Sequence, residues 1–164
     1  MRRDEVLDAL ARERGRLLRA VDALGPRATT ANVTEPGSAT GWTARDVLAH
    51  LIHYAGQIAW ALGAELSPPE YVLRETEQLS AQQWNERAVA FWRDTPLEDV
   101  RTEFERNVDL LADRVGQLSD DDLLATDRVP WPGEDRPLWQ FIGHDTFLHE
   151  WPAHAAQIEQ AASA

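Results

Sequence analysis

The sequence predicts an all-α fold, a four-helix bundle forming a single domain over residues 1–164, and three observations predict it. Apolar residues recur every three or four positions in four separate segments. Helix-start and helix-stop residues bracket those segments. No stretch shows the apolar–polar alternation of a strand, and no repeat of fixed period appears. A chain of 164 residues with 43% apolar residues is long enough for one real core and too short for two.

The first helix is read over Asp4–Leu24, where Val6, Leu7, Leu10, Leu17, Leu18, Val21 and Leu24 keep helical spacing until Gly25-Pro26 ends it. Residues 26–42, rich in Thr, Pro, Gly and Ser, read as a loop. Thr43 with Asp46 forms a capping box for the second helix, which runs to about Gly63. Ser67-Pro68-Pro69 breaks the chain, and residues 70–94 carry a weaker helical pattern with Trp84, Ala88 and Phe91 on one side. Thr95-Pro96-Leu97-Glu98 reads as an N-cap, a first-turn proline and a capping-box glutamate for a third helix ending near Leu118. Ser119 and three aspartates cap one short turn, residues 125–137 form a Pro-rich loop, and the last helix covers Leu138–Ala161. The long connections before the second and last helices suit a crossover topology.

Composition narrows the chemistry. The chain has no cysteine, which removes disulfides and thiolate ligands, so a bound metal would be held by nitrogen and oxygen. Its net charge of −12, with 28 acids against 16 bases and no lysine, speaks against nucleic acid. Nothing resembles a membrane span or a signal peptide, so a soluble cytoplasmic protein is expected. Seven tryptophans are a surplus. Most belong in the core, while Trp42, Trp84, Trp139 and Trp151 are the candidates to line a cavity that holds a small molecule.

The five histidines fall in two helical segments, His50 and His53 in one, His144, His149 and His154 in the other. With about 100° per residue, His50 lies at the inner edge of the stripe Val47, Leu51, Tyr54, Ile58 and Leu62, and His53 points further out. His50 is therefore the candidate metal ligand. His149 and His154 are five apart, which separates them by about 140° on a regular helix and puts Glu150, not His149, one turn before His154. Pro152 lies between them, and a π-bulge at 150–153 would make the two histidines converge. The expected ligand set is His50, His149 and His154 across that bulge, with Glu150 as the competing ligand in place of His149 if the helix is regular. Either leaves coordination positions open, as catalytic sites do, and suits Zn, Ni, Fe or Mn. Asp145, Glu150 and His144 are candidates to orient ligands or act as a base.

The run GWTARDVLAHLIHYAGQIAW at 41–60 and the run HEWPAHAAQI at 149–158 resemble the two signature segments of the DinB/YfiT-like superfamily, and the order of elements is similar over nearly the whole chain. The resemblance implies an up-down-down-up four-helix bundle with a divalent metal on three histidines. His50 and His154 match the motif directly, whereas four residues separate His149 from His154 where three are usual. It also implies a range of activities. Thiol-dependent transferases and isomerases that use low-molecular-weight thiols such as mycothiol belong to it, as do self-resistance proteins, and homodimers are common. The expected function is a metal-dependent transferase, isomerase or hydrolase acting on a small electrophilic substrate. The alternative is a non-catalytic protein that sequesters a small molecule in a Trp-lined cavity.

Overall fold

The computed structural model describes residues 1–34, 41–66, 80–128 and 135–164. Among them are seven α-helices and no strand: α1 (Arg3–Leu24), α2 (Ala44–Ala61), α3 (Ala81–Phe91), α4 (Leu97–Gly116), α5 (Asp120–Leu124), α6 (Leu138–His144) and α7 (Glu150–Ser163). The Ser67-Pro68-Pro69 break and the first part of the weak 70–94 pattern lie outside the described residues.

Local chemistry explains most boundaries. Gly25 ends α1 with φ +53, a conformation glycine adopts without Cβ strain, and a 3-10 turn over Gly25–Thr29 follows. Thr43 and Asp46 close the expected capping box on α2, the Thr43 amide donating to Asp46 Oδ2 at 3.0 Å. Ser119 caps α5 in the same way through Asp122. Ser80 and Gln83 form a further box that starts α3. The Thr95 cap does not form. Pro96 itself is the N-cap of α4, extended at ψ 146 and without a side-chain bond, so the helix begins one residue later than expected.

Four helices carry the bundle. α2 packs chiefly on α4 and α1 chiefly on α7, while α1 also touches α4 and α2 touches α7. The consecutive helices α1 and α2 are thus not principal neighbours, as the crossover topology requires. Phe104 and Leu111 of α4, Leu10 and Leu17 of α1, Leu48, Leu51 and Ile58 of α2, and Trp151 and Ile158 of α7 are fully buried between them. No helix among the described residues is long and apolar enough to cross a membrane.

Two departures from the sequence reading shape the site. The last helix is two helices: α6 ends at His144 and α7 starts at Glu150. Between them the Leu148 amide donates to the Gly143 carbonyl and the Trp151 amide to the Thr146 carbonyl, both five residues back, so the irregular turn precedes the stretch 150–153 where a bulge was expected. Pro152 then sits in the first turn of α7, where its missing N–H leaves no helical bond unmade. The second departure is α3, which packs on α2 and covers a flank that the sequence reading leaves to solvent.

Candidate metal centre

α2 and α7 bring together His50, Glu150 and His154, whose ligand atoms all lie within 4.8 Å of one another. His50 Nε2 is 3.2 Å from Glu150 Oε2, and His154 Nε2 is 3.6 Å from the same oxygen. Glu150 and His154 are four apart on a regular stretch of helix, so they share a face one turn apart. The register of that face follows from Trp151, which is fully buried with its ring 5.7 Å from that of Phe104. Once the indole enters the core, its neighbour Glu150 turns towards α2.

His149 is placed differently. As N-cap of α7 it has φ −132 and ψ −65, its side chain is 66% exposed, and it does not join the three-residue group. Its Nδ1 lies 3.0 Å from Glu150 Oε1, the oxygen turned away from His50. Its ring stacks on that of His144 at 5.5 Å, and His144 pairs in turn with Asp145 at 2.6 Å. Of the sequence candidates, His50 and His154 therefore meet Glu150, the alternative to His149. His144, Asp145 and His149 form a chain outside them.

His53 corrects a further expectation, since it is fully buried instead of pointing outwards. Trp84 of α3 stands edge-on to its ring at 4.2 Å. The weak helical pattern over 70–94 includes Trp84 but carries no sign that it packs on His53; the Ser80–Gln83 capping box is the further signal that marks where α3 starts.

The electrostatics favour a shared cation. Burial pushes the His50 imidazole below its ordinary pKa, against the opposite pull of Glu150, which keeps it a neutral ligand. Burial pushes Glu150 upward, but its hydrogen bonds with His154, His50 and His149 outweigh this and hold the carboxylate far below its usual range. Gln157 Oε1 lies 2.8 Å from His154 Nδ1 and accepts its proton, which turns the Nε2 edge of the ring towards Glu150. Two nitrogens and one carboxylate oxygen form a donor set suited to a divalent cation with open positions. Gln157 and His149 stand where partners that orient ligands belong.

A cleft of about 650 Å³ adjoins this group, with His154, Gln157 and Trp42 on one side and Asn85 and Glu86 of α3 on the other. The Trp42 ring packs 5.0 Å from His50. Trp42 is the one tryptophan among the described lining residues. Trp84 and Trp151 are core residues, so the expected Trp-lined cavity gives way to a polar one.

The fold and the site define a helical-bundle protein with a candidate His-Glu-His centre at the rim of a polar cleft. The chain belongs to the mycothiol maleylpyruvate isomerase N-terminal domain family, whose model matches residues 29–159, in agreement with the DinB/YfiT-like resemblance of its motifs. Three solved structures are similar in fold. An uncharacterised protein from Escherichia coli UTI89 has a TM-score of 0.74 at 15% identity, covering 99% of this chain and 93% of its own. The colibactin self-resistance protein ClbS, in complex with a dsDNA, has a TM-score of 0.75 at 14% identity, covering 99% and 96%. The sibling lethal factor precursor DfsB has a TM-score of 0.72 at 13% identity, covering 98% and 94%. No curated protein matches the sequence.

The ClbS complex corrects the exclusion of nucleic acid, because a protein of this fold is seen with DNA bound. The physical reason is that net charge sums over the whole surface, whereas phosphate contact requires only a local arrangement of donors.

Proposed function

We propose that the protein is a metal-dependent enzyme that joins a low-molecular-weight thiol, or water, to a small electrophilic molecule held in the cleft. The observation that carries this reading is the convergence of His50, Glu150 and His154 beside a polar cavity of about 650 Å³, a volume suited to a small molecule. A divalent cation in such a set supplies Lewis acidity and lowers the pKa of a bound thiol or water.

The chain's own residues prepare that chemistry. Gln157 holds the proton of His154 at Nδ1, which fixes the tautomer with Nε2 as donor atom. His149 takes Glu150 Oε1, so that Oε2 stays directed at His50 and His154. Trp42 covers the His50 ring and shields it from solvent. In this reading His149, the third histidine expected as a ligand, serves as a positioning residue for Glu150. The thiol reading is supported by membership in a family named for a mycothiol-dependent isomerase.

Metal analysis of protein purified without an affinity tag tests the proposal. The expected result is one divalent ion per chain, lost in His50→Ala, with thiol conjugation to an activated aryl halide by the loaded protein. Absence of metal, together with no thermal stabilisation by added Zn or Ni, overturns it.

A further inference from the structure

We infer that the cleft selects an amine-bearing substrate over a carboxylate, and that Glu86 sets this preference. The inference deepens the reading above by naming a substrate class, and rests on it only in taking the cleft as the substrate's place.

The hydrogen-bonding capacity left over in the cleft carries the argument. Gln157 spends its Oε1 on His154, which leaves its amide N–H₂ as a donor. Asn85 spends its Oδ1 on the Tyr54 hydroxyl at 3.2 Å, and again the N–H₂ remains. Thr34 Oγ1 accepts from the Trp42 amide. On the opposite wall Gln82 Nε2 donates to Glu86 Oε1 at 2.9 Å, a bond that holds the carboxylate in place and leaves Gln82 Oε1 as an acceptor. The described lining thus offers neutral amide donors, one indole face at Trp42, the His154 imidazole and one negative charge at Glu86. It contains no arginine, and the chain contains no lysine.

In the metal-free protein a carboxylate-bearing ligand entering this space would face Glu86 with no arginine of the described lining to receive it. An ammonium group would pair with Glu86 by a charge-assisted bond, while the rest of the molecule lies against Trp42 and the amides. Glu86 is on the solvent side of α3, so its substitution does not disturb the core.

Cyclohexylamine, cyclohexanol and cyclohexanecarboxylate share one ring and differ in charge, and titrating each into zinc-loaded and metal-free protein measures the preference by NMR. In the metal-free protein the amine is expected to bind about tenfold tighter than the carboxylate, with the alcohol between them. Glu86→Gln is expected to bring amine and carboxylate to within about threefold of each other. Equal binding of the amine and the carboxylate to the wild-type protein, or an unchanged preference in Glu86→Gln, overturns the inference. Metal content is read separately on the same samples. Retained metal without charge preference sinks this inference alone, and charge preference without metal binding sinks the enzyme reading alone.

Discussion

His50 Nε2 and Glu150 Oε2, one hundred positions apart in the chain, lie 3.2 Å from each other across the α2–α7 contact. A neutral imidazole and an ionised carboxylate at that distance, with a second imidazole at 3.6 Å, form a set of donor atoms that a cation completes. The roles of Glu150 and His149 can be separated by substitution. Glu150→Ala should lower zinc affinity by at least about a hundredfold, and His149→Ala by about tenfold. Titration against a competing chelator measures both. The reverse order would make His149 the ligand and Glu150 its support.

The buried indole of Trp151 sets the register of α7, so its loss should reach the site as well as the core. Trp151→Ala is expected to cost about 3–5 kcal/mol in chemical denaturation, and Trp151→Phe less than about 2 kcal/mol. A Trp151→Phe protein that is folded but binds zinc more weakly would show the coupling directly.

Gly56 lets α2 approach α4. A Cβ there would meet Asn107 Oδ1 at 2.6 Å, and Asn107 is buried and tied through its amide N–H₂ to Glu103. Gly56→Ala should therefore destabilise the fold by about 1–3 kcal/mol. Adding Asn107→Ala should cost less in the Gly56→Ala background than in the wild type, with a coupling of about 0.5–3 kcal/mol in a double-mutant cycle.

Asp122 supports the α5 cap and titrates with it. Its hydrogen bond from the Ser119 backbone, then that from the Ser119 side chain, holds its pKa below the ordinary value. A carboxylate with a depressed folded pKa contributes stability above its unfolded pKa and loses it as pH falls through the folded value. Asp122→Ala should thus lower Tm at neutral pH, and the gap from wild type should close as the buffer is taken below the carboxylate range. Thermal melts across that range check the sign; a gap that widens in acid would contradict it.

Much of this molecule is written locally. The Thr43–Asp46 and Ser119–Asp122 boxes, the stop at Gly25 and the apolar spacing of α1, α2 and α4 are all short-range signals, and each acts as the sequence suggests. His50 at the inner edge of α2 follows from the same periodicity. The five-residue spacing of His149 and His154 also poses the right question, since it leaves Glu150 and His149 as alternatives beside His154.

Only the tertiary structure decides which of the two side chains stands beside His50 and His154. Trp151 is buried in the core against Phe104, and the five-back bonds from Leu148 and Trp151 supply the turn that lets it enter there. That rotation carries Glu150 inward and leaves His149 at the cap, a choice made by packing between helices and invisible to a periodicity count. The burial of His53 has the same origin, because α3 covers it through Trp84, a contact 31 residues away in the sequence. The sequence by itself determined the helices and the donor atoms they carry; the packing of indoles between those helices determined which donors meet.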